Sequence, residues 1–387
     1  MNFDLEENHQ MIKEMVTEFA KNEVEPGAMM RDETCTFPLE ILRKLGELGL
    51  MGILVPEEFG GSGMDVMSFA IAVEAIGRYD GSTALSVQAH NGLTCGHILT
   101  AGSQALKTKY LPELATGQKL GAWCLTEPGS GSDASGMKTT AVKKGDRWVI
   151  NGSKNFITHG TYGDVYVIMA NTDPARGNKG ITAFVAEKGW KGLHIGKKEN
   201  KLGMRASDTT SLSFENLEVP EENMLGELHM GFVDTMKILD RGRAVIASLA
   251  LGIGRGALEE AVKYAKERNA FGKSIADFQA IQWMIADSFT ELQAAKVLVA
   301  RACYLHDQKK FAKRESSQAK LYASEASKRA CHRAVQIHGG YGYVNEYPVE
   351  RYWRDSKLCE IGEGTSEIQR ELIFAQTVKQ YGYGSQP

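Results

Sequence analysis

The stretch 360-EIGEGTSEIQR-370 places one carboxylate, Glu363, between Gly362 and Gly364, directly ahead of an expected helix start. Glycine on each side removes the Cβ atoms that keep other molecules away, so carboxylate and backbone together can approach a flat ligand closely. A carboxylate held that way can serve as a base. The same residues also suit a surface turn in which Thr365 caps the following helix and Glu367 and Glu371 favour its first turns.

Other stretches offer binding chemistry. In 123-WCLTEPGSGSD-133 the glycines and hydroxyls present backbone N–H groups and side-chain donors, which is what a loop cradling an anionic cofactor requires. Gly129-x-Gly131 is not a G-x-G-x-x-G run and follows no βαβ pattern, so it is not a dinucleotide fingerprint. Gly252-x-Gly254-x-Gly256 lies inside a long helical pattern and reads as close helix packing. In 267-ERNAFGK-273, Arg268 and Phe271 set a fixed cation beside an aromatic ring, a pairing that suits a diphosphate beside a stacked ring. In 336-QIHGGYGY-343, glycines interrupt a helix beside tyrosines, which is costly unless something needs the space.

The elements that must position these residues fall into three regions of an α+β chain. From Asn8 to about Gly117 apolar residues recur at helical spacing, broken at Pro56 and at Gly60–Gly63, with one more helix expected over Met67–Tyr79. After about Leu120 the period shortens to two, and Asn151-Gly152 between two β-rich segments predicts a two-residue hairpin turn. The last strand signal is near 211–220. From Gly231 onward helical patterns return over 232–269, 278–307, 314–337 and 365–380, which predicts a four-helix bundle. The expected division is an N-terminal helical domain over 1–120, a middle β domain over 121–228 and a C-terminal bundle over 229–387.

Composition bounds the partners. With 387 residues, 43% hydrophobic and 24% charged, the chain can bury a large core. A net charge of −3 gives no basic footprint for nucleic acid or an anionic membrane. The opening MNFDLEENHQ has no apolar signal core, and the apolar run Ala244–Gly254 is too short to span a bilayer, so a cytoplasmic protein is expected. Six cysteines without C-x-x-C spacing suit buried free thiols, and no metal is expected.

Together TEPGSGSD, NGSKNFIT, ERNAFGK, QIHGGYGY and EGTSE, in this order and spacing, resemble the acyl-CoA dehydrogenase family over essentially the whole chain. The resemblance implies a helical domain, a β-barrel domain and a helical bundle, with FAD as cofactor, usually in a homotetramer. It implies that the 123–132 loop (Trp123, Leu125, Thr126, Gly131, Ser132) and Phe156-Ile157-Thr158 hold the flavin ring, with Phe156 where relatives often carry Trp. Arg268, Phe271 and Gln279, with Gln336, Ile337, His338, Gly339 and Gly340, would reach the FAD of a neighbouring subunit. Thr365, Ser366 and Glu367 would offer a helix N-terminus to the same cofactor. Ser132, Asp240, Arg243, Gly362 and Gly364 would contact the acyl-CoA thioester, although Arg243 can also be read as an ion-pair partner.

The reaction so implied is α,β-dehydrogenation: Glu363 removes the pro-R α-proton while the β-hydride passes to the flavin, giving trans-2-enoyl-CoA, with an electron-transfer flavoprotein as acceptor. Some relatives carry the base at the position of Gly242, which cannot act as one. Rival readings are an acyl-CoA oxidase, usually a much longer chain, and a non-enzymatic acyl-CoA- or FAD-binding regulator, which gives Glu363 no task. A glutaryl-CoA enzyme is disfavoured because 82-STALSVQ-88 lacks the arginine expected for a distal carboxylate. Gly362 stands where straight-chain relatives commonly have Tyr, so a short branched-chain or aryl-bearing acyl-CoA is expected, with a straight butyryl-type substrate as the alternative.

Overall fold

The computed structural model describes residues 5–382, so the outermost ends of the first and third expected domains lie outside the described residues. Seven α-helices open the chain: α1 (Glu7–Phe19), α2 (Ala28–Thr34), α3 (Leu39–Glu47), α4 (Val66–Gly77), α5 (Gly81–Gln88), α6 (Gly96–Ala101) and α7 (Gln104–Ala115). The expected break at Pro56 and Gly60–Gly63 separates α3 from α4. Side-chain caps start several of them: Asp65 accepts from Ser68 N at 2.7 Å before α4, and Asp80 from Ser82 N at 2.9 Å before α5. Within the stretch of helical spacing expected up to Gly117, α5 has no individual boundary in the sequence pattern, because it is buried on every side and no polar face marks its turns. Between α5 and α6 the chain stays helical but widens into a π-helical segment, Ala89–Cys95.

The middle of the chain forms strands β1 (Gly121–Cys124), β2 (Thr140–Lys144), β3 (Arg147–Thr158), β4 (Val165–Asn171), β5 (Ile181–Glu187), β6 (Leu193–Lys198), β7 (Thr209–Pro220) and β8 (Met224–Leu225). They make one sheet in the order β6-β7-β3-β2-β4-β5-β8, with β1 pairing in parallel beside β4. The expected hairpin turn at Asn151-Gly152 is not there. Both residues lie within β3, where the register against β7 shifts between Ile150 and Gly152. The hairpin instead turns at Gly145-Asp146, with Lys144 opposite Arg147 and Gly145 at φ +62°. Gly152 is required for another reason: its φ is +148°, and a Cβ there would strike Thr139. Asn-Gly therefore marks a bulge here rather than a turn.

The C-terminal part contains α8 (Gly231–Glu267), the short ribbon β9 (Asn269–Ala270) and β10 (Lys273–Ser274), then α9 (Gln279–Asp307), α10 (Lys313–His338), α11 (Val349–Ser356), α12 (Leu358–Ile361) and α13 (Ser366–Gln380). Its long helices match the expected bundle. The first and third regions, separate in sequence, share one apolar core, with Phe69, Val73 and Ile76 of α4 beside Leu249, Ile253 and Ala257 of α8. The glycines of 252–256 make that crossing possible, since a Cβ on Gly252 would overlap Glu74 O and one on Gly256 would overlap Arg78 O. The sheet carries two further cores. Val165, Val167 and Met169 of β4 face α7, while Tyr166, Ile168 and Ala170 of the same strand face Trp148, Leu212 and Phe214. Arg354 to Asp32 at 2.6 Å and Met204 N to Asp355 Oδ1 at 2.5 Å tie α11 to the first helices and to the strand region.

Candidate active site

Glu363 sits in the short connection between α12 and α13 with φ +54°, a left-handed backbone that L-residues adopt rarely. The two flanking glycines serve different needs. Gly364 has φ +96° and a Cβ there would lie 2.7 Å from Gln369 Nε2, so the turn itself demands glycine. Gly362 has ordinary angles, φ −64° and ψ 151°, and a Cβ there would meet nothing nearer than Leu358 O at 3.5 Å. Space is open on that side. The unusual backbone is clamped from behind: Lys320 Nζ donates to Gly364 O at 2.7 Å, and Gln369 Nε2 donates to the carbonyls of Glu363 and Gly364 at 3.3 and 3.0 Å.

The carboxylate points at α8. Its Oε1 accepts a 2.6 Å hydrogen bond from Gln88 Nε2, and Oε2 is shut off from solvent with no hydrogen-bond partner among the described residues. Gly242 faces Oε2, and a Cβ on that glycine would overlap it. Burial pushes the Glu363 pKa up to about 7, against the opposing pull of the Gln88 hydrogen bond and the Arg243 and Lys320 charges. Lys320 is itself lowered to about 8, chiefly by burial. Arg243 is buried and bonded to Asp240 Oδ1 at 2.5 Å, an ion pair that leaves its Nε without a partner among the described residues.

The loop after β1 and the far end of β3 meet, as their shared expected role requires. Asn155 N donates to Thr126 O at 2.8 Å and Lys154 Nζ to Leu125 O at 3.0 Å. Glu127 anchors the loop from within, accepting from Lys154 Nζ, Lys138 N and Thr139 N at 2.8, 2.6 and 3.0 Å. Gly129 and Gly131 have nothing within 4 Å of a Cβ position, and Ser132 is exposed. Trp123 donates its Nε1–H to His97 Nδ1 at 3.0 Å. Phe156, at φ +57° in a second register shift of β3, is 61% exposed, while Thr158 is half-buried. Ile157 points the other way, into the core with Leu212, so only its main chain can face a ligand.

A third group lies at the end of the bundle. A cleft of about 480 Å³ is lined by Tyr264, Arg268, Ile337, His338, Gly339 and Gly340, among others. Arg268 lies over the Tyr341 ring at 5.9 Å, and Phe271 on the β9–β10 turn is 95% exposed at φ +53°. Gln279 and Gln336 are also exposed. Among the described residues no hydrogen bond joins this group to the loop at 123–133. Thr365 caps α13, accepting from Ile368 N at 3.4 Å, while Ser366 Oγ is buried without a partner and Glu367 is exposed.

These features fit FAD: an unhindered glycine loop beside an uncovered aromatic face, and a separate cleft carrying a guanidinium and bare glycines. Several residues of the site escaped the sequence reading, namely Gln88, Lys320, Gln369, Glu127 and Lys154. Lys154 had a usable signal, since it is the one cation of NGSKNFIT and alternates into the strand's buried face.

Descriptions of the acyl-CoA dehydrogenase N-terminal, middle and C-terminal domains match residues 6–118, 122–217 and 229–377. The chain belongs to the acyl-CoA dehydrogenase family, whose members are FAD-binding oxidoreductases that dehydrogenate acyl-CoA thioesters. It is 48% identical over 373 residues to a short-chain specific acyl-CoA dehydrogenase of Clostridium acetobutylicum, covering 96% of this chain and 98% of that one. It is 46% identical to the caffeyl-CoA reductase-Etf complex subunit CarC of Acetobacterium woodii, covering 96% and 99%. The solved butyryl-CoA dehydrogenase of Megasphaera elsdenii superposes with a TM-score of 0.96 at 41% identity, covering 98% of this chain and all of that one.

Proposed function

We propose that the chain dehydrogenates a short acyl-CoA thioester to the trans-2-enoyl-CoA with Glu363 as the base. The observation that carries this reading is a carboxylate buried to a pKa of about 7, with one oxygen, Oε2, left without a partner. At neutral pH such a group is both substantially ionised and basic enough to take a proton from carbon. The backbone N–H of Glu363 donates to no backbone carbonyl among the described residues, which supports its use as a donor to the thioester oxygen, where negative charge develops as the α-proton leaves. FAD, when bound, supplies the acceptor for the β-hydride. Trp123, Leu125, Thr126, Gly131, Ser132 and the Phe156–Thr158 stretch would hold its ring. Arg268, Phe271, Gln279, the Gln336–Gly340 stretch and the start of α13 would hold the remainder of a cofactor shared between subunits. Ser132, Asp240, Arg243, Gly362 and Gly364 would line the path of the substrate, with Arg243 held by its ion pair to Asp240. The boundaries 1–120, 121–228 and 229–387 divide these tasks.

Short-chain names among the relatives support a short acyl group. The open space beside Gly362 favours a second reading, a branched or aryl-bearing group of similar length. An electron-transfer flavoprotein as acceptor is supported by the Etf complex in which the Acetobacterium relative is named. A homotetramer is supported by Trp283, Phe289, Tyr304 and Phe374, large apolar side chains exposed on α9 and α13. None of the described helices is long and apolar enough to cross a membrane, which is compatible with a cytoplasmic site of action.

The base assignment is tested with Glu363→Gln. The variant should keep FAD and bind acyl-CoA, while anaerobic flavin bleaching by substrate falls by about 10²–10⁴-fold or more. Near-normal bleaching would sink the assignment.

A further inference from the structure

We propose that Gln88 is a positioning residue for this reaction, holding Oε1 of Glu363 so that Oε2 is the atom that receives the α-proton. The inference rests on Glu363 being the base.

A free carboxylate has two equivalent oxygens, and its terminal torsion is broad and two-fold. Here the equivalence is broken. Oε1 is held at 2.6 Å by the Gln88 amide, and Oε2 faces the bare backbone of Gly242 with no partner among the described residues. An oxygen that already accepts a short hydrogen bond is the poorer base, so the proton goes to the other one.

The glutamine is placed for this contact and has no other. It is fully buried, at 0% exposure, and its own carbonyl Oε1 finds no donor among the described residues. A glutamine kept only for packing would normally satisfy both ends of its amide. Among the described residues its side chain makes a single hydrogen bond, to Glu363. It is the last residue of α5, just before the helix widens at Ala89–Cys95, and such widened turns recur at functional sites.

The bond must also influence basicity. The charged groups facing the carboxylate are Arg243 on α8, itself bonded to Asp240, and Lys320 on α10. Gln88 adds an uncharged donor that favours the ionised form. Without it the base should hold its proton to higher pH.

The test uses the FAD-loaded protein and follows kcat/KM for a short acyl-CoA against pH in wild type, Gln88→Met and Gln88→Glu. Methionine removes the donor at similar length, and the acid limb should move up by about one pH unit. Glutamate puts a second carboxylate within hydrogen-bond distance, so the pair shares a proton and the limb should move further. On the alkaline plateau Gln88→Met should still bleach about tenfold more slowly, through lost orientation, with FAD content and ligand affinity unchanged. Should the methionine variant fail to fold, the near-isosteric glutamate variant carries the test. Unmoved limbs in the folded variants, or losses confined to KM or FAD content, would overturn the role of Gln88. Failure of the base assignment shows up separately, as bleaching that survives Glu363→Gln.

Discussion

Oε2 of Glu363 occupies the space that a methyl group on Gly242 would need. The glycine of α8 and the acid of the α12–α13 connection are thus complementary across 121 positions of sequence. Alanine in a helix interior ordinarily stabilises by about 0.5–1 kcal/mol relative to glycine. In Gly242→Ala that gain should be offset by displacement of the carboxylate, leaving thermal stability little changed. Bleaching by substrate should drop by about 10²-fold, the cost of shifting a reacting group by roughly an ångström. A variant that bleaches at the wild-type rate would mean that the active pose of Glu363 lies elsewhere.

The raised pKa of Glu363 has a measurable effect on stability. In the unfolded chain this carboxyl titrates near its ordinary value of 4.5, and in the folded protein at about 7. Between those two values the folded state binds more protons than the unfolded one, so stability falls as pH rises through the window. Gln at 363 does not titrate. Glu363→Gln should therefore melt increasingly above wild type as pH goes from about 4.5 to 7, the gap levelling beyond that at no more than about 3 kcal/mol. Thermal melts of both proteins across pH check this, and a constant gap would contradict it.

Gly362 is the position from which the acyl pocket can be reshaped. A side chain there meets only Leu358 in its first atoms, so Gly362→Tyr should be accepted without disturbing the Glu363 turn. The ring would fill space beside the substrate's β and γ carbons, where each buried CH₂ of a ligand gains about 0.8 kcal/mol. Comparing butyryl-CoA with branched and aryl-bearing short acyl-CoAs, wild type should gain on the bulkier groups relative to the tyrosine variant. Identical preference orders in both proteins would remove Gly362 from the specificity argument and leave the straight-chain reading.

The broad architecture was legible because long amphipathic helices and alternating strands are local patterns, and α8, α9, α10 and α13 begin and end within a few residues of where periodicity put them. Glu363 drew notice because two glycines flank an acid, but that pattern equally suits a surface turn, and its expected role as base came from the resemblance carried by the five motifs. What could not be read were partners brought in from afar. Gln88 lies 275 positions from Glu363 and Lys320 lies 44 from Gly364, and neither residue type is unusual in a helix. Asn151-Gly152 misled because the same permissive dipeptide serves a turn or a bulge, and here Gly152 packs against Thr139, the residue just ahead of β2.

The π-helical segment Ala89–Cys95 amounts to one surplus residue in an otherwise α-helical rod. At 3.6 residues per turn, a surplus residue rotates everything beyond it by about 100°. The segment is thus a phase shifter. Ahead of it, Gln88 is aimed at Glu363; behind it, His97 is aimed at Trp123, on the strand that leads into the loop at 123–133. Loss of any single residue between positions 89 and 95 would relax the rod to a regular helix and leave its apolar content nearly intact. It would also put one of these two alignments out of register with the other.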